Sequence, residues 1–349
     1  MKISVIIPAY NVEEYIEKCL DSLVSQLFTD FEVILINDGS TDRTKDILEE
    51  YSNQHKFIRV YNITNKGVSN ARNLGLLYSR GDYITFCDAD DWFDVDVLEK
   101  VFETISRYQG DLVVYGRRDI LSDSRSFSYN DHNEVKVLSY KKSDYLKEVF
   151  SIGKHTFSVC NKVYRKEILS QNEILFDTDL KLSEDTLFNL KYLAFAESII
   201  EDYRTSYNRI YREGSAIYIK IDNFYNENIK IIEMFRNYIN SKNVFKPSDY
   251  QEGLLQMYYL YGKVSIFRNC DKIDGENNFI RVRNIFCILN DSKFQFSLKH
   301  IKGKNLSFRE KIFYYLSKRK RPITIYIIFG LLVKIKGFVS LKIKGSLKQ

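Results

Sequence analysis

The chain has 349 residues, of which 44% are hydrophobic, 28% charged and 15% aromatic, with a formal net charge of +6. That composition can bury one large core or two ordinary ones, and it excludes disordered, collagen-like and disulfide-stapled classes. The charge is uneven: acid exceeds base over the first hundred residues, whereas the stretch after Ser292 is overwhelmingly basic, which points to an anionic partner for the tail. The five cysteines, Cys19, Cys87, Cys160, Cys270 and Cys287, form no Cys-x-x-Cys pair, so a reducing setting without a zinc site is expected. The four histidines lie far apart and give no basis for imidazole metal or triad chemistry. The N-terminus lacks the apolar region and cleavage site of a signal peptide and reads as a first strand.

In chain order, Ile3 to Ile7 is a continuous apolar run, expected of a strand covered on both faces, and it stops at Pro8. Asn11 with Glu14 offers a capping box for a helix carrying Val12, Ile16, Leu20, Leu23 and Leu27 at helical spacing. A second buried strand, Phe31 to Ile36, leads into Asn37-Asp38-Gly39-Ser40-Thr41-Asp42. There the glycine permits a sharp turn, Ser40 or Thr41 caps a helix from Thr44 to Tyr51, and Asp38 is left at the strand's carboxyl end. Phe57 to Tyr61 is a third strand. Strand and helix alternate throughout, so the fold class is α/β with a doubly wound, mostly parallel, Rossmann-like sheet. A polar loop from Asn65 then enters a helix with Leu74, Leu77 and Tyr78 as its apolar positions and Arg72 in its first turns. The helix dipole disfavours arginine there unless an anion is near, and a phosphate would satisfy it.

Arg80-Gly81 launches the short strand Tyr83 to Phe86, which ends in Asp88-Ala89-Asp90-Asp91. At the carboxyl end of a buried strand, where the ligand crevice of an α/β sheet opens, Asp-x-Asp points two hard oxygen donors the same way. Mg²⁺ or Mn²⁺ bridging phosphate oxygens is their natural partner. Starting a helix through Val95, Leu98, Val101, Phe102 and Ile105 accounts for one aspartate, Asp91 or Asp94, but not for three. Leu112 to Tyr115 closes the sheet, and Arg117 to Asn133 reads as loop. Ser183 caps a further helix that opens with Glu184 and Asp185 and buries Leu187, Leu190, Leu193 and Ala194. Acidic residues in a first helical turn complement the dipole, so helix chemistry alone gives this pair a structural reading. The segment from Tyr207 to Ser215 supplies Arg209, Arg212 and Ser215, and either folds over a diphosphate or forms an exposed strand and turn.

From Asn223 the pattern is helical, with Ile229, Ile232, Phe235 and Ile239, then Leu254 to Phe267 and Ile280 to Leu289. The end is different again. Lys318-Arg319-Lys320-Arg321 precedes the apolar run Ile323 to Val333, and Lys334, Lys336, Lys342, Lys344 and Lys348 follow. That run is too short for a bilayer, which needs about twenty apolar residues. An amphipathic segment on an anionic surface is expected, with Ile325, Ile328, Leu331 and Leu332 inserting if they share a face; packing against another subunit of a homo-oligomer is the alternative. The domain reading is 1–220 for the α/β part, 221–317 for a helical region and 318–349 for the basic tail.

Taken together, Val5-Ile6-Ile7-Pro8-Ala9-Tyr10-Asn11, Ile36 to Asp42, Gly67-Val68-Ser69-Asn70-Ala71-Arg72-Asn73, Asp88 to Asp91 and Glu184-Asp185 resemble a family 2 glycosyltransferase of the GT-A fold. The resemblance is to the kind that builds bacterial cell-surface polysaccharide and covers the α/β part. It implies a nucleotide-sugar donor, a glycan or lipid-linked acceptor, Mn²⁺ or Mg²⁺ as cofactor, no nucleic acid, and a peripheral place on the cytoplasmic face of a membrane. Pro8, Tyr10 and Asp38 are implied as the uracil pocket, with Asn65 and Arg72 flanking the nucleotide. Asp88 is implied at the ribose or a metal-bound water, Ala89 among the donor-binding residues, Asp90 with Asp88 at the metal, and Arg212 and Ser215 over the diphosphate, with Arg209 as the alternative for that role. Asp185 is implied as general base, with Glu184 near the acceptor. A dinucleotide-dependent oxidoreductase would show Gly-x-Gly-x-x-Gly after the first strand, where Pro8-Ala9-Tyr10-Asn11 stands. A nucleotidyltransferase would show a glycine-rich basic loop there, and a silent scaffold would have no need of every acidic motif.

Overall fold

The computed structural model describes residues 2–121, 126–129, 135–139, 158–180, 183–211, 224–243, 245, 247–270, 277–300 and 307–336. Arg212 and Ser215 lie outside them, as do the last lysines of the tail. The chain forms two compact units, Met1–Lys142 with His155–Ile219, and Ser143–Lys154 with Lys220–Gln349.

The first unit is an α/β sheet. It begins β1 (Ile3–Ala9), α1 (Ile16–Val24), β2 (Phe31–Asp38), α2 (Thr44–Gln54), β3 (Ile58–Ile63), α3 (Val68–Tyr78), β4 (Tyr83–Phe86), β5 (Trp92–Phe93) and α4 (Val97–Tyr108). It continues β6 (Leu112–Leu121), β7 (Ser126–Tyr129), β8 (Val135–Ser139), β9 (Lys162–Arg165), α5 (Lys166–Gln171), α6 (Glu184–Leu193) and β10 (Ser198–Tyr211). Among the described residues the strand order is β3-β2-β1-β4-β9-β6-β10-β5, with β7 on β6 and β8 on β10. Every residue of β2 is buried, as the unbroken apolar run requires when helices cover both faces. β1 pairs parallel with β2 from Ile3↔Phe31 to Ala9↔Asn37 and with β4 from Ile3↔Tyr83 to Ile6↔Phe86. This register brings the ends of β1, β2 and β4 to one edge, where Pro8, Asp38 and Asp88 emerge.

Several local expectations change. No Asn11 capping box forms: α1 starts at Ile16 without a side-chain cap, and Asn11, at φ 50°, instead accepts from the Thr41 N–H (2.8 Å). Neither Ser40 nor Thr41 caps α2; Asp42 accepts the Thr44 N–H (3.0 Å). Helix α3 is rotated from its expected face. Leu77 and Tyr78 are exposed, and Ala71, Arg72, Gly75 and Leu76 face inward. α4 starts after Asp96, because Asp91 and Asp94 are bonded to β10. β6 does not close the sheet at Tyr115. It runs on to Leu121 between β9 and β10, its polar end tolerated because buried Asp119 pairs with Arg117 and Arg209.

The second unit is helical: α7 (Phe224–Lys242), α8 (Pro247–Cys270), α9 (Asn278–Asn290), α10 (Ser292–His300), α11 (Phe308–Lys318) and α12 (Pro322–Lys336). Ile266, Ile285, Leu289, Phe294, Phe313, Ile325 and Phe329 form its core. A capping box joins Ser307 and Glu310 at the start of α11. Ile325, expected on the inserting face of the tail, is fully buried, and Ile328 packs against the same core. The exposed row of α12 is Ile323, Ile327 and Leu331, at four-residue spacing, while the Leu332 side chain is outside the described set. Among the described residues no helix is long and apolar enough to cross a membrane.

The rotation of α3 rests on Gly75, since a Cβ there would come within 2.2 Å of Ile6 Cγ2 on β1. Gly75→Ala should therefore destabilise the protein by about 1–3 kcal/mol despite alanine's better helix propensity. Urea denaturation checks this; an unchanged midpoint would mean that α3 has room to spare.

Candidate active site

The edge where β1, β2 and β4 end carries most of the sequence-predicted residues. Gly39 turns the chain after β2 at φ 74°, and a Cβ on it would meet the Asn65 backbone nitrogen at 2.8 Å. The loop from Asn65 can thus lie directly on the end of β2. Asp38 fastens it: Oδ1 accepts the Lys66 N–H and Oδ2 the Gly67 N–H, each at 2.8 Å. Tyr10 follows β1 with its ring half exposed, and the Asn11 N–H donates to Ser40 Oγ (3.1 Å). Pro8, Tyr10, Asp38 and Asn65 therefore stand around one loop junction.

Arg72 joins this junction to the acidic motifs. Its Nη2 donates to Asp88 Oδ1 and its Nη1 to Glu184 Oε1, both at 2.9 Å, and it stacks over Phe176 at 5.3 Å. At this point of the helix, where the sequence called for an anion, two carboxylates meet the arginine. The side chain is only 7% exposed, Glu184 15% and Asp88 40%. Nε of Arg72 and Oγ of Ser69, one turn apart on α3, have no hydrogen-bond partner among the described residues. Burial lowers the guanidinium pKa, but the surrounding negative charge, Asp88 first and Glu184 and Asp185 among the rest, holds it above its usual value. Burial and the adjacent Asp185 charge raise Glu184, against the pull of Arg72.

After β4, Asp88, Ala89, Asp90 and Asp91 divide their tasks. Asp91 points inward. It accepts from the Tyr207 O–H (2.5 Å) and the Ile210 N–H (2.9 Å), and burial beside the Asp88 and Asp90 charges pushes it well above the carboxylate range. The Tyr207 hydroxyl also accepts the Asp88 N–H (3.1 Å), which ties the motif to β10. Ala89 is buried and offers only backbone groups, whereas Asp88 and Asp90 are partly open to solvent. Among the described residues no three carboxylate, imidazole or thiol groups converge on a self-contained metal site. Arg209 is held by both carboxylate oxygens of Asp119, at 3.1 Å each.

Asp185 sits at the start of α6, half buried. Its Oδ1 accepts the Thr186 N–H (2.7 Å), and its Oδ2 accepts the N–H of Ser158 (2.9 Å). Ser183 occupies the cap position at φ 61° without a side-chain cap bond. Behind Ser158 lies Lys162 of β9, fully buried, whose Nζ donates to the Ser158 carbonyl (2.6 Å); burial and Arg117 lower its pKa to about 7, while Asp185 opposes the shift. Sequence reading passed over Ser158 and Lys162. The one available signal was a lysine opening the strand pattern Lys162-Val163-Tyr164.

Removing Arg72 leaves Glu184 buried without its cation. Arg72→Met should cost about 3 kcal/mol at pH 7, the low end for a broken buried pair because Asp88 keeps water. The carboxylate that lost its partner has a raised folded pKa, so its penalty is full above that pKa and shrinks as Glu184 takes a proton. The deficit should be smaller at pH 5 than at pH 7 in urea titrations, and a larger deficit at pH 5 would contradict the pairing.

The glycosyl transferase family 2 model matches residues 4–172. The uncharacterized glycosyltransferase EpsJ of Bacillus subtilis is 36% identical over 198 residues, 56% of this chain and 57% of EpsJ, so the chain spans little more than half of that relative. The uncharacterized glycosyltransferase YibD of Escherichia coli is 30% identical over 271 residues, 72% of this chain and 76% of YibD. The crystal structure of S. aureus TarS 1-349 in complex with UDP-GlcNAc superposes with a TM-score of 0.72 at 22% identity, covering 97% of this chain and 92% of that one, a likeness of fold. With its sheet-edge motifs, the family model over 4–172 and 30% identity across most of YibD, the chain belongs to family 2 of the glycosyltransferases and has the GT-A fold.

Proposed function

We propose that this chain is an inverting glycosyltransferase that moves a sugar from a UDP-sugar to a hydroxyl of a glycan or lipid-linked acceptor in surface polysaccharide synthesis. The observation that carries this reading is Arg72, which bonds the Asp88 motif and the Glu184-Asp185 pair at once and so joins donor and acceptor chemistry in one site. The UDP-GlcNAc bound by TarS supports a uridine donor. Pro8, Tyr10 and Asp38 form the uracil pocket, with the Tyr10 ring as stacking surface. Each Asp38 oxygen that holds the Asn65 loop has a second lone pair for a base N–H. Ser69 Oγ and Arg72 Nε are buried donors that a substrate acceptor would satisfy. Arg212 and Ser215 are assigned to the diphosphate by their motif.

Asp90 and the second oxygen of Asp88 are hard donors that suit Mn²⁺ or Mg²⁺, and such ions commonly bind through one or two carboxylates plus substrate phosphates and water. When bound, the ion neutralises charge growing on the leaving diphosphate. Asp185 takes the proton of the acceptor hydroxyl as that oxygen attacks the anomeric carbon. The bond to the diphosphate breaks on the opposite face, so configuration inverts. Glu184, held by Arg72, lies beside the acceptor. In a UDP-release assay with UDP-N-acetylglucosamine and a panel of UDP-hexoses, Asp185→Asn should lower kcat by about 10²- to 10⁴-fold. UDP should still raise the melting temperature of that variant. Asp90→Asn or chelation should abolish release. Donor binding without turnover of any donor would favour the silent scaffold.

The second unit supports a peripheral contact with an anionic membrane. Lys318, Arg319, Lys320 and Arg321 are all exposed immediately before the row Ile323, Ile327 and Leu331. Each cation near such a surface contributes on the order of 1 kcal/mol, screened by salt. Ile323→Glu with Ile327→Glu should weaken co-sedimentation with phosphatidylserine vesicles, as should high salt. Undiminished binding, or equal binding to neutral vesicles, would assign the row to subunit packing.

A further inference from the structure

Ser158 holds a left-handed conformation at φ 53°, which costs a non-glycine residue about 1–3 kcal/mol unless its surroundings impose it. Two side chains do so. The Ser158 carbonyl accepts from Lys162 Nζ (2.6 Å) and from Asn189 Nδ2 (3.0 Å), and Asn189 is itself fixed through Oδ1 by the Tyr164 hydroxyl (2.7 Å). Held in this way, the Ser158 N–H meets Asp185 Oδ2, while the Thr186 N–H meets Oδ1. One bond to each oxygen fixes the plane of the carboxylate.

We infer that Lys162 is a positioning residue for the general base: with Asn189 it clamps the Ser158 carbonyl, and the clamped Ser158 N–H orients Asp185. The inference rests on the proposed role of Asp185. A strand position needing only bulk would be filled more cheaply by an apolar residue, since burying an ammonium is costly. At neutral pH Lys162 lies near its midpoint. Both its forms keep N–H bonds to donate, so the clamp does not depend on its charge.

The test compares the full chain with Lys162→Met, Asn189→Asp, Asp185→Asn, and Lys162→Met combined with Ser158→Gly. It uses UDP release from UDP-N-acetylglucosamine and site-resolved hydrogen exchange at the Ser158 amide. Lys162→Met should lower kcat by about tenfold or more with KM little changed, because a slightly misplaced base can cost up to about 10²-fold. The Ser158 amide should exchange faster, with no loss of melting temperature. Added glycine at 158, which takes positive φ unaided, should restore part of kcat. Asn189→Asp should act in the same direction and serves if Lys162→Met does not fold. Full kcat in Lys162→Met alongside an inactive Asp185→Asn would overturn the inference and leave the base assignment standing. An active Asp185→Asn would overturn the base assignment. Unchanged exchange at Ser158 would overturn the clamp, whether or not this donor is turned over.

Discussion

A guanidinium almost out of contact with water has to be matched by charge close by, and this requirement at Arg72 organises the candidate site. Desolvating one ion costs several kcal/mol, whereas a pair about 4 Å apart gains about 4 kcal/mol at an effective dielectric of about 20. One carboxylate would roughly break even; two leave the ion clearly favoured. Asp88 and Glu184, separated by 96 positions in the chain (184 − 88), are therefore both needed at hydrogen-bonding distance. Helix α3 turns its Arg72 face inward to reach them, and Gly75 allows that approach against β1.

The reverse problem belongs to the acids. Asp88, Glu184 and Asp185 all lie close enough to act on Arg72, and burial with the charge of neighbouring acids disfavours ionisation of Asp91 and Glu184. The chain answers differently at each. Asp91 retreats into the interior with a raised pKa and the Tyr207 hydroxyl as partner. Asp88 and Glu184 share Arg72, and Asp185 accepts two backbone N–H groups. That division leaves Asp88 and Asp90 partly open to solvent and Asp185 with a fixed orientation.

In the helical unit the deciding term is apolar burial. Helix α12 is apolar nearly all round, so its pattern alone does not choose an inner face. Ile325 and Phe329 fit against Phe313 and Phe267, and that choice turns Ile323, Ile327 and Leu331 outward beside the cationic turn from Lys318 to Arg321.

The amino-acid sequence by itself determined the alternation of strand and helix, the mostly parallel sheet, the helical C-terminal region and the motif positions. Those follow from local terms: apolar runs, period, turn glycines and the chemistry of clustered carboxylates. Tertiary structure alone decided what each charged group faces. Arg72 was legible as a helix-start arginine needing an anion, but nothing local said that Glu184 would supply half of it. Leu77 and Tyr78 read as a core stripe, yet the approach of Gly75 to Ile6 and the pull on Arg72 turned them outward. Asn11 and Glu14 matched a cap by spacing, but Asn11 does more by joining β1 to the loop after β2. Ser158 and Lys162 carried almost no signal, because a left-handed serine and a buried lysine are stabilised by partners from other segments, and long-range electrostatics and close packing have no period in the chain.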